Sequence, residues 1–264
     1  MAITDTNGLV AGMGGSQRLS FYKASQTAEG AGTFFSLWKA ASLPGAGSTP
    51  STTASVPTSA TAGAFLFTNP VSGKTYLGGL RVAGSTIGTV ILYDRLMHVS
   101  GLSGTQTTVD TAVSNTALTR YTDGVGVEAW FEFYSAIGAT GATLNFKYTD
   151  SDDNTNQSGA YTHPANAESV GQMVPGVLAA GAKGVKAVTA YHWSISTGTA
   201  GNFGVTLIKR LAEVPLTVVN VAQTFNAIDL GMPVIEDDAC LGIMILCTAT
   251  NTGNIIGSID LIQG

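Results

Sequence analysis

The sequence predicts an all-β protein, a two-sheet β-sandwich with jelly roll as its candidate topology and an extended N-terminal arm. Three observations carry this. Short apolar runs recur between Gly, Thr, Asn and Pro clusters from residue 64 to the C-terminus. Several of them alternate apolar and polar residues with the period of a strand. No helical pattern separates them, which excludes a doubly wound fold or a TIM barrel. Neither is there a fixed-period repeat, which argues against propellers and β-helices.

Strands are expected near 64–68, 75–83, 86–98, 125–137, 142–149, 158–163, 186–196, 202–211, 239–247 and 255–262. The clearest is VEAWFEFY, where Val127, Ala129, Phe131 and Phe133 share one face and Glu128, Trp130, Glu132 and Tyr134 the other. The first face reads as core, the second as solvent or a polar interface. The ATGAT link and the TGTAGN link each read as a hairpin connection. Residues 167–183 carry a short-helix pattern at most, because Pro175 and several glycines interrupt it.

Three zones divide the chain. Residues 1–43 form the N-terminal arm, with a packed element, helix or strand, around Phe34, Phe35 and Trp38. Residues 44–63, PGAGSTPSTTASVPTSATAG, hold three prolines and no charge, a composition that cannot build a core and reads as a linker or strap. Residues 64–264 form the sandwich.

Composition narrows the function. Ala, Gly, Ser and Thr make up 121 of the 264 residues, and only 11% are charged, yet 44% are hydrophobic, enough for a real core. Twelve basic against seventeen acidic residues leave a net charge of −5, which argues against a protein that coats nucleic acid through its phosphates. So low a charge density fits a chain that buries much of its surface in an assembly. No apolar stretch has the length of a membrane span, and MAITDTNGLVAGMGG lacks the basic and apolar regions of a secretory leader. Cys240 and Cys247 lie about 23 Å apart if ACLGIMILC is one strand, and face opposite sides, so they read as two buried thiols.

The search for chemistry finds little. No phosphate-loop or dinucleotide motif is present. His98, His163 and His192 form no metal-ligand spacing and read as packed or interface residues. Asp150, Asp152 and Asp153 are weak calcium candidates in a hairpin tip whose more ordinary role is to keep that tip solvated. Glu128 and Glu132 would stand about 13 Å apart along a strand, too far for a glycosidase pair. Neither a catalytic residue nor a cofactor is expected. Arg95, beside Asp94 and two residues from Tyr93, suggests a local ion pair near an interface. The interface candidates are therefore Phe34, Phe35, Trp38, Arg95 and His98.

Two stretches, VILYDRLMHVSGLSGT (Val90 to Thr105) and LTRYTDGVGVEAWFEFYSAIGATGA (Leu118 to Ala142), resemble structural proteins from virions of tailed bacteriophages, as does the Ala/Gly/Thr/Ser texture. The resemblance implies a non-enzymatic virion protein assembled in the host cytoplasm, foremost a capsid decoration or cement protein. Its partners would be the major capsid protein, neighbouring virion subunits and copies of itself, with a trimer favoured, and neither nucleic acid nor membrane. The alternatives are a tail, collar or fibre-associated adhesin that stacks host glycans on Trp130, Tyr191 and Trp193, and a jelly-roll major coat protein.

Overall fold

The structure is a computed structural model that describes residues 3, 5–26, 29–166, 168–250 and 253–264. One helix, α1 (Thr6–Met13), precedes the strands. The sequence reading contained no helix here. The Asp5 side chain accepts the Gly8 N–H at 2.7 Å and so caps it. The strands that follow are β1 (Gln17–Ala24), β2 (Phe34–Ser36), β3 (Ser42–Leu43), β4 (Thr75–Gly84), β5 (Gly88–Leu102), β6 (Thr111–Ala112), β7 (Val127–Ser135) and β8 (Ala142–Asp150). The second half holds β9 (Gln157–His163), β10 (Gln172–Pro175), β11 (Val185–Trp193), β12 (Asn202–Leu216), β13 (Gln223–Asn226), β14 (Val234–Ile235), β15 (Leu241–Cys247) and β16 (Asn254–Gln263).

These strands form three sheets, not the expected two, and all their pairings are antiparallel. The first sheet runs β13-β4-β16-β1-β3, with β14 also on β4. A closed barrel runs β10-β2-β15-β5-β12-β7, and a third sheet runs β6-β11-β8-β9. The reason for the difference is the length of β5 and β12, 15 residues each. Val90, Leu92, Val214 and Leu216 at one end of this pair pack into a core shared with the first sheet. Leu96, Val99, Phe203, Val205 and Leu207 at the other end pack into a core shared with the third. One long strand pair thus serves two flanking sheets. The barrel closes only through β2 and β10, three and four residues long, too short to leave a periodic signal.

Close strand approach in the barrel demands glycine at Gly88, where a Cβ would overlap the Leu246 carbonyl oxygen, and at Gly204. Gly204 sits in a register shift between β12 and β5, and a Cβ there would overlap the Val99 carbonyl oxygen.

The described residues of the 1–43 segment do not reach away from this body. β1 pairs along its whole length with β16, at the other end of the chain, and β2 sits between β10 and β15 in the barrel wall. Phe21, Phe35 and Trp38 are all buried. The proline-rich strap lies along β5. There β15 pairs only as far as Asp94, and the strap takes over the edge. Ser55 and His98 exchange both main-chain hydrogen bonds at 3.0 and 3.1 Å, and the Ser100 N–H donates to the Ser51 carbonyl at 2.9 Å. The strap also covers the Trp38 indole, whose Nε1 donates to the Ser48 carbonyl at 3.0 Å, and a Cβ at Gly47 would overlap that ring.

Two local expectations are corrected. Residues 64–68 form no strand: Phe65 and Phe67 are buried anchors of an irregular segment, with Phe65 edge-on to Phe21. Residues 167–183 form no helix among the described residues, and contribute β10 instead.

Candidate functional site

The strongest concentration of ionisable groups lies inside the barrel. Alternation along β7 points Trp130, Glu132 and Tyr134 inward, where Arg95 from β5 and Thr206 from β12 meet them. This corrects the expectation that this face of VEAWFEFY meets solvent. The strand belongs to a closed barrel, so both of its faces are enclosed, and Trp130, Glu132 and Tyr134 are buried.

Arg95 has no exposed surface. Its Nη2 donates to Glu132 Oε2, to the Tyr134 hydroxyl at 3.1 Å and to Thr206 Oγ1 at 3.1 Å. Tyr134 and Thr206 in turn donate to Glu132 Oε2, at 2.9 and 3.2 Å. The guanidinium lies over the Trp38 ring at 4.6 Å, and its Nε donates to His98 Nδ1 at 3.0 Å. Burial, which works against the charged form, is outweighed by Glu132 and the two tyrosines, and the Arg95 pKa stays raised. Burial pushes Tyr134 up, and Glu132 pushes it further. Burial and the adjacent Arg95 push His98 down to about 3. His98 is therefore neutral at ordinary pH, with the nitrogen a base would use already accepting from Arg95. The site is a closed ionic cluster in which every residue has a partner, although Arg95 Nη1 makes no hydrogen bond.

The neighbouring residue makes a second cluster. Asp94 points to the other side of β5 and accepts two hydrogen bonds from Arg120, at 2.8 and 2.9 Å, and one from the Cys240 N–H at 2.8 Å. Arg120 also donates to the carbonyls of Pro57 and Arg95 at 3.1 Å each. The ion pair expected between Asp94 and Arg95 is replaced by two pairs with distant residues, since adjacent residues on a strand face apart. Asp94 and Arg95 are both buried, as is His98, so none presents a surface in the single chain. Phe35 and Trp38 are buried too. Phe34 is half-buried, edge-on to Trp130 at 5.0 Å, beside a groove of about 340 Å³ lined also by Tyr161 and Met173.

His163 lies between Glu168 Oε1 at 2.9 Å and the Gly138 carbonyl at 3.0 Å, and Tyr161 donates to the same Glu168 oxygen at 2.6 Å. His192 is 3.9 Å from Asp110 at the outer face of the third sheet. Glu128 is engaged by Arg210 at 2.9 Å and by Trp130 Nε1 at 2.8 Å.

The acidic tip between β8 and β9 is organised from within. Asp150 accepts the Asp152 and Asn154 N–H groups and the Asn154 side chain, each at 2.9 Å, and the Asn154 bonds hold its carboxyl below the usual range. Asp152 and Asp153 face Lys183 and Lys186, at 3.3 and 2.6 Å. Among the described residues no group of three His, Cys, Asp or Glu is placed to hold a metal, and no helix is long and apolar enough to cross a membrane.

Trp130, Tyr191 and Trp193 are all buried, so none offers a ring face for stacking. Tyr191 and Trp193 pack instead on Phe203, at 5.7 and 5.8 Å. Cys240 and Cys247 are both buried, and burial pushes the Cys240 thiol up to about 12.

Sequence reasoning named Arg95 and His98 but missed Glu132, Tyr134 and Thr206 as their partners. The signal was present: Arg95 and Glu132 are charges set inside strongly apolar strands of a chain with few charges.

No family model and no curated protein matches this chain. Among solved structures, the crystal structure of the infectious bursal disease virus VP2 subviral particle aligns over 94% of this chain and 81% of that one, with 9% identity and a TM-score of 0.21. A likeness of that size assigns neither fold nor function.

Proposed function

We propose that the chain is a non-enzymatic structural protein of a virion, a capsid decoration or cement protein that stabilises junctions between capsid subunits. The observation that carries this reading is the placement of charge and apolar surface. Ionic groups are drawn into buried clusters, Arg95 with Glu132 and Arg120 with Asp94. Large apolar side chains stand exposed in several separate places, among them Val10, Leu66, Val71, Val109, Val177 and Ile228. Scattered side chains of this kind are ordinary on a monomer, and it is where they cluster, as Tyr22, Leu43 and Ile256 do across β1, β3 and β16, that they favour burial against a neighbour. The resemblance of Val90–Thr105 and Leu118–Ala142 to tailed-phage virion proteins supports the same class. The adhesin alternative has lost its stacking residues to the core.

Decoration works by adding contacts to the assembled shell that free subunits lack. Quantitative mass spectrometry of purified particles tests this. A copy number comparable with that of the major capsid protein is expected. A copy number fitting one vertex would assign the chain to the tail, and absence from particles would end the virion reading.

A further inference from the structure

We infer that the outer face of the first sheet is a contact between two copies of this chain. Along β1, Phe21 points into the core, while Arg18, Ser20 and Tyr22 point outward, with Arg18, Ser20 and Tyr22 all exposed. The register places Tyr22 opposite Leu43 on one side and Ile256 on the other, and Ile256 opposite Ala83. An unbroken apolar row therefore crosses four strands, β3, β1, β16 and β4. Its three large members are 55% (Leu43), 40% (Tyr22) and 50% (Ile256) exposed. A face of an antiparallel sheet turned to water should carry polar residues here.

A second exposed apolar segment lies near the β4 end of the row. The Asn220 N–H donates to the Gly84 carbonyl at 2.8 Å, which ties the β12–β13 loop beside Ala83. That loop carries Val218, Val219 and Val221, all exposed.

Charge decides the occupant. The next row along the sheet is Ser20, Ser258, Arg81 and Thr224, and beyond it Arg18 pairs with Asp260 at 2.6 Å. The charges on the face nearly cancel, leaving Arg81. A charged partner finds no complement here, whereas a second copy meets apolar row with apolar row and no massed like charge. Two such faces related by a two-fold axis pack as sheet on sheet, about 10 Å apart. A two-fold contact gives an even number of copies, where the phage resemblance implies three.

This inference shares the assembly reading's expectation of buried surface, but its test is independent of particles. Sedimentation velocity at micromolar concentration should show a dimer or an even multiple, and Tyr22→Asp with Ile256→Arg should convert it to a folded monomer of 26.9 kDa. Lys147→Glu, on the outer face of the third sheet, should leave the dimer intact. As a check that does not depend on the charged pair folding, the milder Tyr22→Ala should weaken the dimer at least about tenfold in a sedimentation titration. A wild-type monomer, a trimer, or an oligomer untouched by the double variant would overturn the inference. So would a Tyr22→Ala protein that dimerises as tightly as the wild type. Binding of wild-type monomer to a capsid through this face would give the surface to a different partner.

Discussion

The first and third sheets cover opposite ends of the same β5–β12 pair, yet they are assembled differently. The third sheet draws its strands from residues 111–193, with β8 and β9 as a hairpin. The first joins the two ends of the chain, pairing Gln17 with Leu261 and Ala24 with Asn254. Their cores differ as well. The third-sheet core is aromatic, centred on Phe203, which touches Phe131, Phe133, Tyr191 and Trp193. The first-sheet core is mainly aliphatic, with Leu77, Leu80, Val82, Ile255 and Ile259 among its members. Outside, the third sheet shows Asn145, Lys147, Ser158 and His192 around a shallow groove, while the first shows the Tyr22–Ile256 row. Local strand pairing yields a self-contained, polar-faced layer. Long-range pairing yields a layer whose outer face keeps an apolar row among polar ones.

The comparison breaks first at the N-terminus. Deleting residues 1–43 removes β1 from the middle of the first sheet and β2 from the barrel wall. The expected result is loss of cooperative folding, seen as loss of a sharp melting transition by circular dichroism. A truncated chain that still melts cooperatively would show that β1 and β2 are dispensable to the fold.

How far the sequence reveals the fold follows the same division. The strands of the third sheet lie close to the expected 142–149, 158–163 and 186–196, because Leu144, Phe146 and Tyr148 alternate with outward polar residues and the β8–β9 hairpin is local. β1 escaped notice although Leu19 and Phe21 alternate correctly, since its partner lies more than 200 residues away and nothing nearby signals a pairing. The strap was legible as irregular chain. That it would cover the edge of β5 was not, because this depends on where β15 stops. In the candidate site, Arg95 and Glu132 could be picked out as odd charges, but that they meet depends on barrel closure by two very short strands.

Next in size is the barrel cluster that both halves share. Glu132→Leu leaves Arg95 buried without its counter-charge and is expected to cost about 3–5 kcal/mol in urea unfolding. Arg95→Met with Glu132→Leu should recover most of that loss. If the double variant is as unstable as the single one, packing rather than the unpaired charge sets the cost.

Acid acts through His98. Its folded pKa, about 3, lies below the ordinary 6.5 of the unfolded chain, so the unfolded state binds the extra proton between these values. The stabilisation is complete above pH 6.5 and is lost as pH falls toward 3, at up to about 1.4 kcal/mol per pH unit from this residue. In His98→Gln the stability–pH slope over that window should be shallower. An unchanged slope would place the acid sensitivity in the carboxylates alone.

The smallest effect belongs to the acidic tip of the third sheet. Asp152→Asn with Asp153→Asn loses only exposed pairs to Lys183 and Lys186 and should shift stability by less than about 1 kcal/mol. Melting with calcium and with chelator should coincide. A calcium-dependent rise in the wild type, absent from this variant, would show that the tip holds a metal.

The central contrast is between the two outer faces, and amide hydrogen exchange read by mass spectrometry at high and low protein concentration tests it most directly. Peptides covering β1 and β16 should gain protection as concentration rises, while those covering β8 and β11 stay unchanged. Protection gained at β8 and β11 instead, or equally on both faces, would contradict the account.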